Sequence, residues 1–214
     1  MASVDIPANG RGGSATRAVW GIQVTISEKE RFRRDARAAR QQFVAGLDSN
    51  VRTALLQAIA GRAAASLNGA AIVASYCPMG HEVDPAPCVV AIGAAIGNVR
   101  IVLPWFASRE ASMGFRDAGG PLEPGPFGTM QPQGSAPSAT PDILLVPLVA
   151  ADLQGNRIGQ GKGHFDRLLA ALRSKAPVKA IGLAWDVQVF DRLPTDSWDQ
   201  RLDIVITPTR TISV

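Results

Sequence analysis

Arg157-Ile158-Gly159-Gln160-Gly161-Lys162-Gly163-His164-Phe165-Asp166 lies between an apolar run, Ile143 to Val149, and a helical pattern at Phe165, Leu168, Leu169 and Leu172. Three glycines at alternate positions leave backbone N–H groups open to a ligand, and Lys162 between them adds a point charge suited to phosphate. Strand, glycine loop and helix in that order predict an anion cradle at a helix N-terminus, where unpaired N–H groups and the positive end of the helix dipole converge. An ordinary glycine-rich turn is the competing reading of the glycines alone. Arg157, Lys162 and Asp166 within the loop weigh against it.

Outward from the loop the chain reads as alternating elements. Helices are expected over 27–46 and 50–68, a strand over 70–76, a helix from Cys88 to Ile96 and a strand from Asn98 to Leu103. The Gly-, Pro- and Ser-rich segment 117–141 reads as a long surface stretch with short strand pieces. A strand over 142–149, a helix over 165–174, a strand over 178–184 and a final strand over 203–207 complete the set. Strands separated by helices need crossover connections. The expected fold is therefore α/β, a single three-layer domain with a largely parallel, mixed central sheet and helices on both faces. Residues 1–26, with Gly10, Gly12 and Gly13 among small polar residues, read as a flexible N-terminal extension to a domain spanning 27–214.

A chain of 214 residues, 46% of them hydrophobic, can bury one sizeable core. No apolar run reaches the roughly 20 residues that span a bilayer, and the first 26 residues lack a hydrophobic signal core, so no membrane partner is expected and the cytoplasm is the simplest address. Cys77 and Cys88 are too few for a disulfide framework, although one bridge between them stays open. A closed zinc site would need both thiols together with His81 and His164 from scattered positions. The net charge of +4 is small and no basic stripe is interleaved with aromatics, so no nucleic-acid partner is expected. Much of the basic density lies in the first helix, where Phe32, Ala36, Ala39 and Phe43 make an apolar face and Lys29, Arg33, Arg37 and Arg40 a neighbouring cationic one.

The loop is neither of two common phosphate motifs. Walker A needs a glycine where Asn156 stands and a Ser or Thr where Gly163 stands; the dinucleotide fingerprint needs a different third glycine and an N-terminal βαβ opening. The segment Gly155 to Asp166 resembles instead the ATP-binding loop of the 5-formyltetrahydrofolate cyclo-ligases, or methenyltetrahydrofolate synthetases, with Ile158 in a leucine place and His164-Phe165 in the place of paired tyrosines. The resemblance runs from about Lys29 to Thr207. It includes Lys29 and Arg33, Ser75-Tyr76, Glu82-Val83-Asp84, Leu103-Pro104, Met113-Gly-Phe115, Gln131-Pro132, the strand ending Val146-Pro147, Ile181-Gly-Leu-Ala-Trp185, Leu193-Pro194, Asp199 and Leu202-Asp203.

What the resemblance implies is an ATP-dependent ligase acting on 5-formyltetrahydrofolate. It directs Lys29 and Arg33 at ATP phosphate, along with the amides of Gly159, Gly161 and Gly163, the charges of Arg157 and Lys162, and the rings of His164 and Phe165. It gives Mg2+ to Asp166 and Asp199 and the folate to Glu82, with Cys77 and Met113 beside it. Two departures stand out. His164 and Phe165 remove two phenolic hydroxyls, and Trp198 stands where a histidine usually precedes the metal aspartate. A non-catalytic folate- or nucleotide-binding protein of the same fold is the alternative, and the oligomeric state is left open.

Overall fold

The computed structural model describes residues 27–67, 69 and 71–214. The expected extension over 1–26 lies outside the described residues, as do Asn68 and Ala70 at the ends of an expected helix and strand. Period-two alternation in β6 (Ile143–Pro147) sends Ile143 and Leu145 to one core and Leu144 and Val146 to another. β9 (Lys179–Leu183) does the same with Ile181 and Leu183 against Ala180, and β11 (Ile204–Ile206) with Ile204 and Ile206 against Val205. A sheet with two apolar faces must be covered on both.

α1 (Glu28–Ala45), α2 (Ser49–Ala65) and α3 (Ala86–Ile96) supply apolar side chains to the first core, which also takes in β1 (Ile72–Ala74). α4 (His164–Arg173) covers the second through Leu169, with Leu168 and Leu172 beside it, and there β2 (Arg100–Trp105) and β3 (Gly114–Asp117) contribute Val102 and Phe115. Each fully buried Leu or Ile stabilises the fold by about 1.5–3 kcal/mol, so both layers depend on the alternation.

With β12 (Thr211–Ser213) the seven-stranded sheet has the order β12-β11-β9-β6-β1-β2-β3. Neighbours from β11 to β2 run parallel; β12 and β3 close the two edges antiparallel. The domain is α/β with a mostly parallel mixed sheet and helices on both faces. The strand expected as the last is therefore not the last, because β12 pairs back onto β11. Within the segment read as surface, β4 (Leu122–Pro124) and β5 (Met130–Pro132) form a two-stranded ribbon.

The loop does not leave the central strand directly, as its sequence position predicts. After β6 the chain adds a small sheet, β7 (Ala150–Asp152) paired antiparallel with β8 (Arg157–Ile158) and parallel with β10 (Val189–Phe190), and the glycine loop leaves β8. Asp152 explains why. Its carboxylate is fully buried and accepts from the backbone N–H groups of Gln154, Asn156 and Leu193 and from Asn156 Nδ2, all at 2.9–3.0 Å. Four donors satisfy a buried carboxylate that would otherwise be costly, and they fix the turn that aims the loop.

Ser27 caps α1 by accepting from Glu30 N, and Asp48 caps α2 by accepting from Asn50 N at 2.8 Å. Of the apolar face expected on α1, Ala36 is buried and Phe32 and Phe43 pack against core clusters, whereas Ala39 is exposed and Arg40 and Val44 are buried instead. Arg40 belongs to the inside of the protein.

Candidate active site

α4 begins without a side-chain cap. Its N-cap is Gly163 at φ +64°, and Gly161 two residues earlier sits at φ +96°, conformations that glycine adopts freely and other residues rarely do. Among the described residues no protein acceptor takes the backbone N–H groups of Gly161, Lys162, Gly163, His164 or Phe165. Several donors thus converge where the helix dipole favours an anion.

The loop is clamped from α1. Arg33 Nε donates to the Gly159 carbonyl at 2.9 Å and also pairs with Glu30, and a Cβ on Gly161 would lie 3.4 Å from the Arg33 guanidinium carbon. Arg37 donates to Gln160 Oε1 at 2.7 Å. Gln160 Nε2 in turn donates to Glu82 Oε1 at 2.7 Å, and Glu82 Oε2 accepts from Met79 N at 2.9 Å. Glu82 is only 4% exposed, with the buried Arg40 guanidinium 3.9 Å away. Burial draws the Arg40 guanidinium below its ordinary value, and the Glu82 charge opposes that pull.

On the other side of the loop Arg157 is buried, donating to the Gln200 carbonyl at 2.5 Å and pairing with Asp166 Oδ1 at 2.9 Å; Gln200 N reaches the same oxygen at 3.1 Å. Burial lowers Arg157 from its ordinary value while the Asp166 charge and hydrogen bond offset part of it. Lys29 bridges Asp196, at 2.7 Å, and Asp199, which also accepts from Asp196 N. Burial, the largest influence on Lys29, pulls its value down. The hydrogen bonds and charges of the two aspartates outweigh it and raise the value overall.

These groups open onto one cavity of about 500 Å³ beyond the C-terminal ends of β1, β2 and β6, marked by Tyr76, Pro104 and Pro147. Every residue that the resemblance assigns to ATP, metal or folate lines it: Lys29, Arg33, Cys77, Glu82, Met113, Arg157, Gly159, Gly161, Lys162, Gly163, His164, Phe165, Asp166 and Asp199. Phe165 also packs partly into the core beneath α4. Phe115 is buried in that core, and Trp105 lies under Arg116 at 4.1 Å, outside this cavity. Cys77 Sγ approaches the Met130 carbonyl at 3.2 Å, and both cysteines are free. Burial, followed by the Asp84 charge, pushes the Cys88 thiol up to about 12.

Sequence reasoning missed several lining residues. Phe106 and Phe127 pack with each other and with the expected His164 at ring separations of 4.8–5.0 Å, and Met130 and Gln131 line the cavity from β5. Pro126-Phe127-Gly128 reads as a turn, and only folding brings its ring onto α4. His164 loses basicity mainly by burial, then through the nearby Arg167 and Lys162 charges. Among the described residues no group of three or more His, Cys, Asp and Glu side chains is placed to hold a metal ion. Asp166 Oδ2 and Asp199 Oδ1 are free of protein partners among the described residues, which leaves each carboxylate one oxygen for a hard cation that keeps most of its waters.

The family model described as the 5-formyltetrahydrofolate cyclo-ligase family matches residues 25–208. This chain belongs to that family. A 5-formyltetrahydrofolate cyclo-ligase of Haemophilus influenzae is 38% identical over 91 residues, covering 40% of this chain and 48% of the relative. One from Mycolicibacterium smegmatis is 27% identical over 152 residues, covering 65% and 75%. The match to the first of these relatives spans about half of its length, and the match to the one from Escherichia coli spans 37%. Among solved structures, a 5,10-methenyltetrahydrofolate synthetase from Aquifex aeolicus superposes with a TM-score of 0.66 at 28% identity, covering 87% of this chain and 93% of that one. The synthetase from Mycoplasma pneumoniae superposes with a TM-score of 0.65 at 24% identity, covering 85% and 99%, and likewise shows the cyclo-ligase family fold.

Proposed function

We propose that this protein converts 5-formyltetrahydrofolate into 5,10-methenyltetrahydrofolate at the expense of ATP. The observation that carries the reading is one cavity holding both a glycine loop with free amides at the start of α4 and the buried Glu82 carboxylate, joined by Gln160. The formyl oxygen is a poor leaving group. Moving the γ-phosphoryl of ATP onto that oxygen, with ADP leaving, gives an N5 iminium phosphate; N10 attacks its carbon, loses its proton, and inorganic phosphate departs as the ring closes.

The chain's own groups supply position and charge for these steps. The amides of Gly161, Gly163 and the first turn of α4 would donate to the phosphate oxygens, and Lys162, which among the described residues pairs with no carboxylate, would offset their charge. Arg33 and Arg157 would hold the loop's shape. Asp166 and Asp199 would hold magnesium, which, when bound, neutralises phosphate charge. Glu82, with Cys77 and Met113 nearby, would orient the formyl-bearing end of the folate, and the Phe106, Phe127 and His164 wall would exclude water.

Mixing the protein with ATP, magnesium and 5-formyltetrahydrofolate and following methenyltetrahydrofolate by its absorbance tests the proposal. Product formation is expected. Binding of both ligands without product would instead favour a non-catalytic binding protein, a reading that the loss of two phenolic hydroxyls at His164 and Phe165 keeps in play.

A further inference from the structure

Trp198 is the one large aromatic side chain among the described residues that stands mostly in water, 67% exposed, and it lines the mouth of the cavity. The contrast with Trp185, fully buried, and Trp105, covered by Arg116, asks for a reason. Its segment is held by several contacts. Asp199 N donates to the Asp196 carbonyl at 3.1 Å and Asp196 N to Asp199 Oδ2 at 2.8 Å, closing a tight turn around Trp198 that Lys29 ties to α1 through both aspartates. Just after it, Gln200 is fastened to Asp166 and to Arg157. The backbone that carries the exposed indole is held from both sides, so the chain segment need not be ordered anew when a flat ring lies on it.

We infer that Trp198 is a stacking platform for the purine base of the nucleotide, deepening the ATP reading above and resting on it. Trp198 lies in the turn between Asp196 and Asp199, the two carboxylates that Lys29 bridges, and all four residues line the cavity. A flat heterocycle could come from ATP or from the pterin, and proximity to Lys29, Asp166 and Asp199 favours the nucleotide. Base stacking on an aromatic is sequence-tolerant, so the platform grips purines in general and leaves the choice of adenine to other groups.

The test is calorimetric titration of the full-length protein, in magnesium, with ATP, inorganic tripolyphosphate and 5-formyltetrahydrofolate, for wild type, Trp198→Ala and Trp198→Phe. Trp198→Ala should raise the Kd for ATP on the order of tenfold, leave tripolyphosphate and folate unchanged, and be largely rescued by Trp198→Phe. Wild-type tryptophan emission should be quenched by ATP and not by tripolyphosphate, and the quenching should vanish in both variants. Unchanged ATP affinity in a folded Trp198→Ala overturns the platform while leaving the ATP reading intact. A defect confined to folate moves the ring to the pterin and also overturns it. Failure of wild type to bind ATP at all overturns the parent reading and the platform together.

Discussion

Gln160 Nε2 and Glu82 Oε1 are 2.7 Å apart, so a residue of the glycine loop and one 78 positions earlier share a hydrogen bond inside the cavity. Under the proposed function this bond ties the phosphate loop to the carboxylate assigned to folate. Arg37 donates to the other end of the Gln160 amide, so both ends of that side chain are hydrogen-bonded.

Gln160→Ala should raise the KM for folate about as much as the KM for ATP, although Gln160 belongs to the glycine loop. Losing a hydrogen bond to a charged group costs roughly 1.5–3 kcal/mol. Glu82→Gln should lower kcat or raise the folate KM, and through the same bond it should also shift the ATP parameters. Steady-state kinetics on both substrates decides the matter: an effect of Gln160→Ala on ATP alone would mean that the bond transmits nothing.

Lys162→Ala should weaken ATP use by about 1.5–3 kcal/mol in kcat/KM with the melting temperature unchanged. The side chain is exposed and donates no hydrogen bond among the described residues, so its removal leaves packing intact. Wild-type ATP kinetics in a folded variant would take Lys162 out of the phosphate site.

Turnover should require magnesium, and Asp166→Asn should raise the magnesium concentration needed for half-maximal rate. The same change weakens the partner of the buried Arg157, so a loss of stability of about 1–3 kcal/mol should accompany it. Asp199→Asn should act in the same direction on magnesium while loosening the Lys29 bridge. Full activity in the presence of a chelator would show that neither carboxylate serves a metal.

Lys29 links stability to pH with a definite sign. Its folded value lies above the ordinary 10.5, so the folded chain holds this proton more tightly than the unfolded one. The contribution is fully present below 10.5 and fades as pH climbs through the raised value. Urea midpoints of wild type and Lys29→Met should differ by a constant amount from neutral pH to about pH 9 and converge at more alkaline pH. A gap that widens with rising pH would contradict the bridge.

Local residue order by itself determined the parallel core. Ile143 to Val146 and Lys179 to Leu183 alternate faces wherever they pair, and the helical spacing of Leu168, Leu169 and Leu172 requires a helix to cover one of those faces. The glycine loop and its place ahead of α4 were legible for the same reason: φ values of +64° and +96° call for glycine, and glycine is visible in a sequence. Burial and long-range pairing were not. Arg40 reads as one more cation on a basic helix, yet four-residue spacing from Ala36 and to Val44 carries it inside, where Glu82 and the Leu148 carbonyl meet it. Gln160 and Phe127 are ordinary loop residues until the fold closes, because what they touch, Glu82 and His164, lies 78 positions before one and far beyond the other. The small sheet that aims the loop also needed tertiary structure, since β7, β8 and β10 are two or three residues long and are held by the buried Asp152 and by the packing of Ala150, Ile158 and Phe190 with Ala36 and Leu193. Local periodicity selects the layers; the contacts that join the site depend on which distant segments the layers bring face to face.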